Sequence, residues 1–546
     1  MSRPPRRVVL SLLGIGAAAG GAGTGAVAYT LRETPLPKTA RTAPAVPVMP
    51  AEPIAANGTP LRSIAEENRL PGSRGWLPDA TVRRASDDRT GDIMGYAATT
   101  SAGHGEVVDF HISVARARTY RVAVYRIGHY GGRGARLMTT SPPLPGRRRT
   151  VPAPDPGTGT VACAWPVSWS VRIPDDWRSG LYQAVFTSDE GHRSSTPFVV
   201  REPQRASALL CVIPFTTYQA YNMWPKDRKS GKNLYGGYRP GGGAGGFEHR
   251  AVEVSFDRPY SGSGTPSWFN MDSSFARWAE ENGHNITYAS SIDLHDGTVD
   301  PARYPAVFFP GHDEYWSKPM YDAAARAVAS GRNLAFLGAN NVYFHIRLEQ
   351  SAKGRPNRIM ACYKTPDDPS PGTAGATVRW REIRADGALA EQRLLGIQFN
   401  GIVKKPAPLV VQSADHWLWH GTGVKNGERL PDMIGVEADA YNGNAPEPPG
   451  ARRVLLAASR YTDSRPGSAP RTQNTAVTEQ SGGGTVFMAG TFHWPLALVD
   501  DDRYTNTRLR LSPATRARIR RATANLTGRL TGGGGSPGTG PGSAVR

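Results

Sequence analysis

Four short segments of this chain are apolar at nearly every position: Leu209 to Phe215, Ile286 to Ala289, Ala306 to Phe309 and Leu334 to Leu337. A strand with one wet face alternates apolar and polar residues, so a strand apolar throughout must be covered on both faces. Helical patterns at Phe275 to Asn282 and Lys318 to Ser330 fall between these runs. The reading is an α/β fold with a parallel sheet covered by helices. Ligands of such sheets gather beyond the carboxyl ends of the strands. That directs attention to four loops: Thr216 to Asn222, His295 to Val299, Gly311 to Trp316 and Gly338 to His345.

Other stretches behave differently. Val107 to Ser113, Tyr120 to Ile127, Ser168 to Ile173 and Tyr182 to Thr187 alternate in the β manner and are punctuated by Gly and Pro turns, which predicts an all-β, immunoglobulin-like sandwich over 73–202. The α/β unit is assigned to 203–530, where the runs Val378 to Ile383, Leu394 to Phe399, Val454 to Ala458 and Thr485 to Ala489 read as further sheet appended to it. Arg6-Arg7 precedes an uncharged, Gly-rich stretch ending in Ala26-Val27-Ala28, the pattern of a twin-arginine export signal over 1–28; an uncleaved membrane anchor is the alternative. Residues 29–72 read as a Pro/Ala-rich linker and 531–546 as a flexible tail. The expected location is therefore secreted or cell-surface.

The net charge of +19 invites a nucleic-acid partner, but the positive residues are scattered and no helix-turn-helix, finger or RNP-like pattern accompanies them, so none is expected. Three widely spaced cysteines exclude a thiolate zinc site. There is no dinucleotide fingerprint, P-loop, G-x-S-x-G elbow or H-E-x-x-H. His416 and His420 have a metal-ligand spacing, yet between two Trp they read as core packing. In a glutamine-amidotransferase-like layout the nucleophile would follow Phe308-Phe309-Pro310, and here Gly311-His312-Asp313-Glu314 supplies no thiol. What the loops do carry is oxygen donors and amides: Tyr218 and Tyr221, His312 and Glu314, Asn340 and Asn341, with Tyr260 in a long connection.

The segments TTYQAYN, SFDRPY, FFPGHDEYWS, LAFLGANNVYF, IGVEADAY and GGTVFMAGTFHW, in this order, resemble the large (beta) subunit of N,N-dimethylformamidase, above all its C-terminal domain. The resemblance implies a mononuclear iron (Fe3+) held by two tyrosines and a glutamate, hydrolysing an amide without redox chemistry. Carried onto this sequence, the metal ligands are Tyr221 (or neighbouring Tyr218), Tyr260 and Glu314, and the catalytic residues are Glu437, His312 and Asn340. Two phenolates and a carboxylate suit a hard trivalent cation. The expected function is a secreted metal-dependent amidohydrolase acting on a small amide or formamide-like C–N bond. The family enzyme pairs with a small subunit that this chain does not encode, and a homo-oligomer is compatible with the sequence. The alternative is a non-catalytic cell-surface protein that binds glycan or anionic polymer.

Overall fold

The computed structural model describes residues 62–77, 85–205, 207–370, 375–384, 387–500, 509 and 511–532. The expected leader, most of the expected linker and nearly all of the tail lie outside the described residues. Among the described residues no helix is long and apolar enough to cross a membrane, and the three cysteines are buried and free.

The alternating segments form two facing sheets. A three-stranded sheet joins Ile93–Ala97, Val107–Val114 and Trp169–Arg172. The larger one centres on Thr119–Ile127, Gly180–Ser188 and Arg193–Val200. Alternate residues of both, including Ile93, Phe110, Val122, Val124, Phe186 and Phe198, meet in one buried cluster, as period-two patterning requires.

The flat apolar segments lie in a seven-stranded sheet. Its order is Ile286–Ser290, Leu209–Ile213, Ala306–Phe309, Asn333–Phe336, Thr485–Met488, Arg471–Glu479, Arg452–Tyr461. The first five strands run parallel, and the last two are joined on by antiparallel pairings. Side chains divide by register. Leu209, Cys211 and Ile213 pack with Phe275 of the helix Phe269–Glu281 on one face. Leu210 and Val212 pack with Met320 and Ala324 of the helix Lys318–Ala329 on the other.

The expected fold class is corrected by the rest of the structure. Strand accounts for 31% of the protein and helix for 18%, in several mixed and antiparallel sheets, and no amidotransferase-like α/β layout emerges. The physical reason lies in the connections. With 62 glycines and 46 prolines, much of the chain between strands forms turns and short ribbons where helical crossovers were expected. One four-stranded sheet joins Glu253–Ser255, Ile359–Ala361, Phe344–Glu349 and Tyr315–Ser317. Two-stranded ribbons pair Gln398–Ile402 with Glu437–Ala440 and Ala407–Val410 with Arg429–Ile434. The "appended" segments are corrected too. Thr485–Met488 is an inner strand, with Leu334 opposite Val486 and Phe336 opposite Met488. Within Val378 to Ile383 lies a 3-10 turn, Trp380–Glu382.

The sandwich is fastened to the seven-stranded unit by a buried ion pair. Arg126 Nη1 and Nη2 reach the two carboxylate oxygens of Glu280 at 2.7 and 2.8 Å, and neither side chain has any exposure. The remaining lone pairs of Glu280 accept from Asn68 Nδ2 at 2.7 Å and the Tyr288 hydroxyl at 2.9 Å. Both oxygens of Glu280 are thus paired, whereas Arg126 Nε is buried without a hydrogen-bond partner among the described residues, and a buried charge held by an opposite one is tolerated where an isolated one is not.

Candidate active site

Three parallel strands deliver the site at their carboxyl ends. After Leu209–Ile213 the chain makes one short helix, Phe215–Ala220, and Tyr221 ends it. After Ala306–Phe309 comes the loop with His312 and Glu314, and after Asn333–Phe336 the loop with Asn340. These loops touch closely: a Cβ on Gly338 would sit 2.4 Å from the Gly311 carbonyl oxygen, so only glycine fits there. Thr217 Oγ1 fixes the middle loop by accepting from the amides of Glu314 at 3.0 Å and Tyr315 at 3.3 Å.

Two phenols and one carboxylate meet in this frame. The Tyr221 hydroxyl donates to Glu314 Oε2 at 2.7 Å. The Tyr235 hydroxyl lies 2.7 and 2.8 Å from the two Glu314 oxygens, and the two hydroxyls are 3.0 Å apart. His312 Nε2 is 3.2 Å from both Glu314 Oε2 and the Tyr221 hydroxyl, and 3.9 Å from Glu437 Oε2. Because His312 Nδ1 faces the Ala339 carbonyl at 3.1 Å, that nitrogen carries hydrogen and Nε2 is turned toward the acids.

Tyr260 is not part of this cluster. It packs edge-on against Tyr218, ring centroids 6.4 Å apart, among Gln219, Arg258 and Arg358. Tyr218 points away as well, donating to Asp272 Oδ2 at 2.6 Å. The tyrosine that meets Tyr221 and Glu314 is Tyr235, which the motif reading passed over. It sits in Gly231-Lys-Asn-Leu-Tyr235-Gly-Gly, a stretch that reads as plain connection. The Arg of the Arg-Pro-Tyr motif supplies the link. Arg258, wholly buried, donates to the carbonyls of Lys232 at 3.0 Å, Asn222 at 2.9 Å and Gln219 at 3.3 Å. It thereby clasps the segment bearing Tyr235 to the one bearing Tyr221. Asn233 adds a second tie, its Nδ2 on the Tyr221 carbonyl at 3.1 Å and its Oδ1 on the Tyr235 amide at 2.9 Å.

The electrostatics follow from burial. Burial alone would push His312 down, but Glu437 and Glu314 outweigh it and hold the imidazole above its ordinary value. Burial also works against ionisation of Glu314, yet His312, Lys364 and Tyr235 bring its carboxyl below the usual range. Glu437 is pushed up to about 8 by burial, with the Glu314 charge adding to the rise. Lys364 Nζ lies 3.5 Å from the centroid of the Tyr235 ring and 4.3 Å from that of Phe344. Burial lowers it to about 8.

A cavity of about 630 Å3 opens above these groups, with Tyr235, Glu314, Asn340 and Glu437 among its lining. Glu437 Oε2 and Asn340 Oδ1 are buried without a hydrogen-bond partner among the described residues. Among those residues no group of three or more His, Cys, Asp or Glu forms a metal site. Two phenols and a carboxylate packed to 2.7–3.0 Å instead make a set of hard oxygen donors, which suits a hard cation and not a soft one. His416 and His420 flank the 3-10 turn Trp417–Trp419, whose Leu418 and Trp419 are buried.

Behind the site, Asp439 accepts from the Asn340 amide at 2.9 Å and is raised to about 7 by burial. Its folded-state value exceeds its unfolded one of about 4. The stability it contributes is therefore complete below about pH 4 and is lost as pH rises through about 7. Urea unfolding across this window should show stability falling with pH, and Asp439→Asn should remove on the order of a few kcal/mol of that fall. An unchanged pH slope in the variant would assign the fall to other groups.

A model of the family "N,N-dimethylformamidase beta subunit-like, C-terminal" matches residues 121–506, more than two thirds of the chain. The match begins inside the sandwich and takes in every residue of the site. No curated protein matches. Among solved structures, a superoxide reductase (neelaredoxin) from Ignicoccus hospitalis T24K is 10% identical with a TM-score of 0.13, over 21% of this chain and 80% of its own. A Paenibacillus sp. cycloisomaltooligosaccharide glucanotransferase complexed with cycloisomaltoheptaose is 9% identical with a TM-score of 0.17, over 81% of this chain and 82% of its own. Neither score reaches the level of a shared fold.

Proposed function

Because the chain belongs to the N,N-dimethylformamidase beta subunit-like family, we propose that it hydrolyses the C–N bond of a small amide on the floor of this cavity. One observation carries the reading: Tyr221, Tyr235 and Glu314 meet within 3.0 Å, with His312 and Glu437 beside them. In this reading those three residues hold a single ferric ion, their three negative charges balancing its own. When bound, such an ion supplies Lewis acidity to polarise a carbonyl and to acidify water.

The remaining roles belong to the protein's own groups. Asn340, on the cavity floor, donates its amide hydrogen to the substrate carbonyl oxygen. Glu437 retains its proton near neutral pH because burial holds it at about 8. It gives that proton to the departing amine nitrogen and regains one from the attacking water. His312 is a positioning residue: the Ala339 carbonyl fixes its tautomer, and its Nε2 orients Glu314 and Tyr221.

Purification from iron-replete cells should give close to one iron per chain and measurable hydrolysis of dimethylformamide. Glu437→Gln should keep the iron while turnover falls by about 10²–10⁴-fold. Wild-type protein without iron, or a Glu437→Gln variant that turns over normally, would sink the reading. Binding to anionic wall polymer by metal-free protein would select the non-catalytic alternative.

A further inference from the structure

At about 630 Å3, the cavity lies within the ~300–1,000 Å3 range of pockets that enclose drug-sized ligands. A formamide of a few atoms would leave most of it to water. Away from the acidic floor the wall changes character, with Phe399 and Tyr441 alongside Arg379, Arg381, Arg465 and Arg471. Two of these guanidiniums are neutralised one to one, Arg379 by Glu382 and Arg381 by Glu391. The other two share a single acid. Arg465 Nη2 and Nε reach the oxygens of Asp463 at 2.8 and 3.0 Å, and Arg471 Nε lies 2.8 Å from the same carboxylate.

Asp463 is fully buried, whereas the Arg465 and Arg471 side chains are 42% and 34% exposed. Arg471 is anchored further by donating to the Asn400 carbonyl. Among the described residues this trio carries one positive charge more than negative, on a guanidinium already held in place. A guanidinium meets a planar carboxylate through paired N–H groups, and one immobilised in advance loses little freedom on binding.

We propose that this wall binds the carboxylate of the substrate: an amide that bears an anionic carboxylate a few bonds from its scissile C–N bond. The amide rests on the floor beside Asn340 and Glu437, and the carboxylate pairs with Arg465 and Arg471. This builds on the amidase reading above. Acid on the floor and excess guanidinium on the wall set the direction in which such a molecule enters.

The test uses N-formyl-L-phenylalanine and its uncharged twin N-formyl-L-phenylalaninamide, with binding to the full chain measured by calorimetry. The acid should bind at least about tenfold tighter than the amide. That preference should shrink to less than about threefold in Arg471→Gln, in Arg465→Gln as an independent variant, and in high salt. Equal affinity for the two compounds, or a preference that survives both substitutions, overturns the carboxylate site. Hydrolysis is scored separately. Arginine-dependent binding of the acid without cleavage upholds this inference while removing the amidase reading.

Discussion

Tyr235→Phe should strip both iron and amide hydrolysis from the protein, whereas Tyr260→Phe should leave both close to wild type. The two tyrosines stand in different surroundings. The Tyr235 hydroxyl reaches both oxygens of Glu314 and the Tyr221 hydroxyl within 3.0 Å, while Tyr260 packs beside Tyr218 outside the cavity. Phenylalanine keeps the ring and its tilted contact with Tyr221, centroids 4.7 Å apart, and removes only the oxygen. Since groups that merely support a metal ligand change affinity or activity by about 10–100-fold, loss of a ligand itself should exceed about a hundredfold. Metal analysis and dimethylformamide turnover of the two variants, side by side, give the answer. Iron lost from Tyr260→Phe and kept by Tyr235→Phe would reverse the assignment.

The largest effect on stability should come from Glu280→Ala. This carboxylate lies behind the sheet on the helix Phe269–Glu281 and accepts from Arg126, Asn68 and Tyr288. Its removal leaves Arg126 charged and fully enclosed, with only the Tyr130 hydroxyl and Ser179 carbonyl in hydrogen-bond reach among the described residues. Breaking a buried pair on one side costs about 3–5 kcal/mol. Denaturant unfolding should show a loss of that order. The double variant Glu280→Ala with Arg126→Met should recover part of it, because no unpaired charge then remains. A loss below about 1 kcal/mol in the single variant would mean that water or a neighbouring acid reaches Arg126.

The legibility of the molecule divides along physical lines. Leu209–Ile213 and Ala306–Phe309 are readable as strands because burial on both faces leaves no polar position in them. Tyr221, Glu314, His312 and Asn340 follow such strands directly, so their loops stand out, while the family resemblance is what singles them out from Tyr218, Asn341 and the other polar side chains there. Tyr235 offers no such handle. Thirteen residues, Asn222 to Leu234, lie between it and Tyr221 with no strand-like apolar run to mark their path, and what brings it back is Arg258, a long-range clasp on backbone carbonyls that no local pattern encodes. The reading of Thr485 to Ala489 as appended sheet failed for a related reason. Thr485–Met488 is an ordinary short apolar run whose place beside Asn333–Phe336 depends on a parallel pairing across some 150 residues, which periodicity cannot see.

Asn340 holds a left-handed backbone, φ 55°, an orientation that asparagine tolerates better than most residues, and its amide is pinned to Asp439. Its backbone is thus fixed at the turn of the loop, while the carboxamide oxygen is buried without a hydrogen-bond partner among the described residues. The entropy of setting this backbone is spent once, when the chain folds, and does not recur in any later event at the loop.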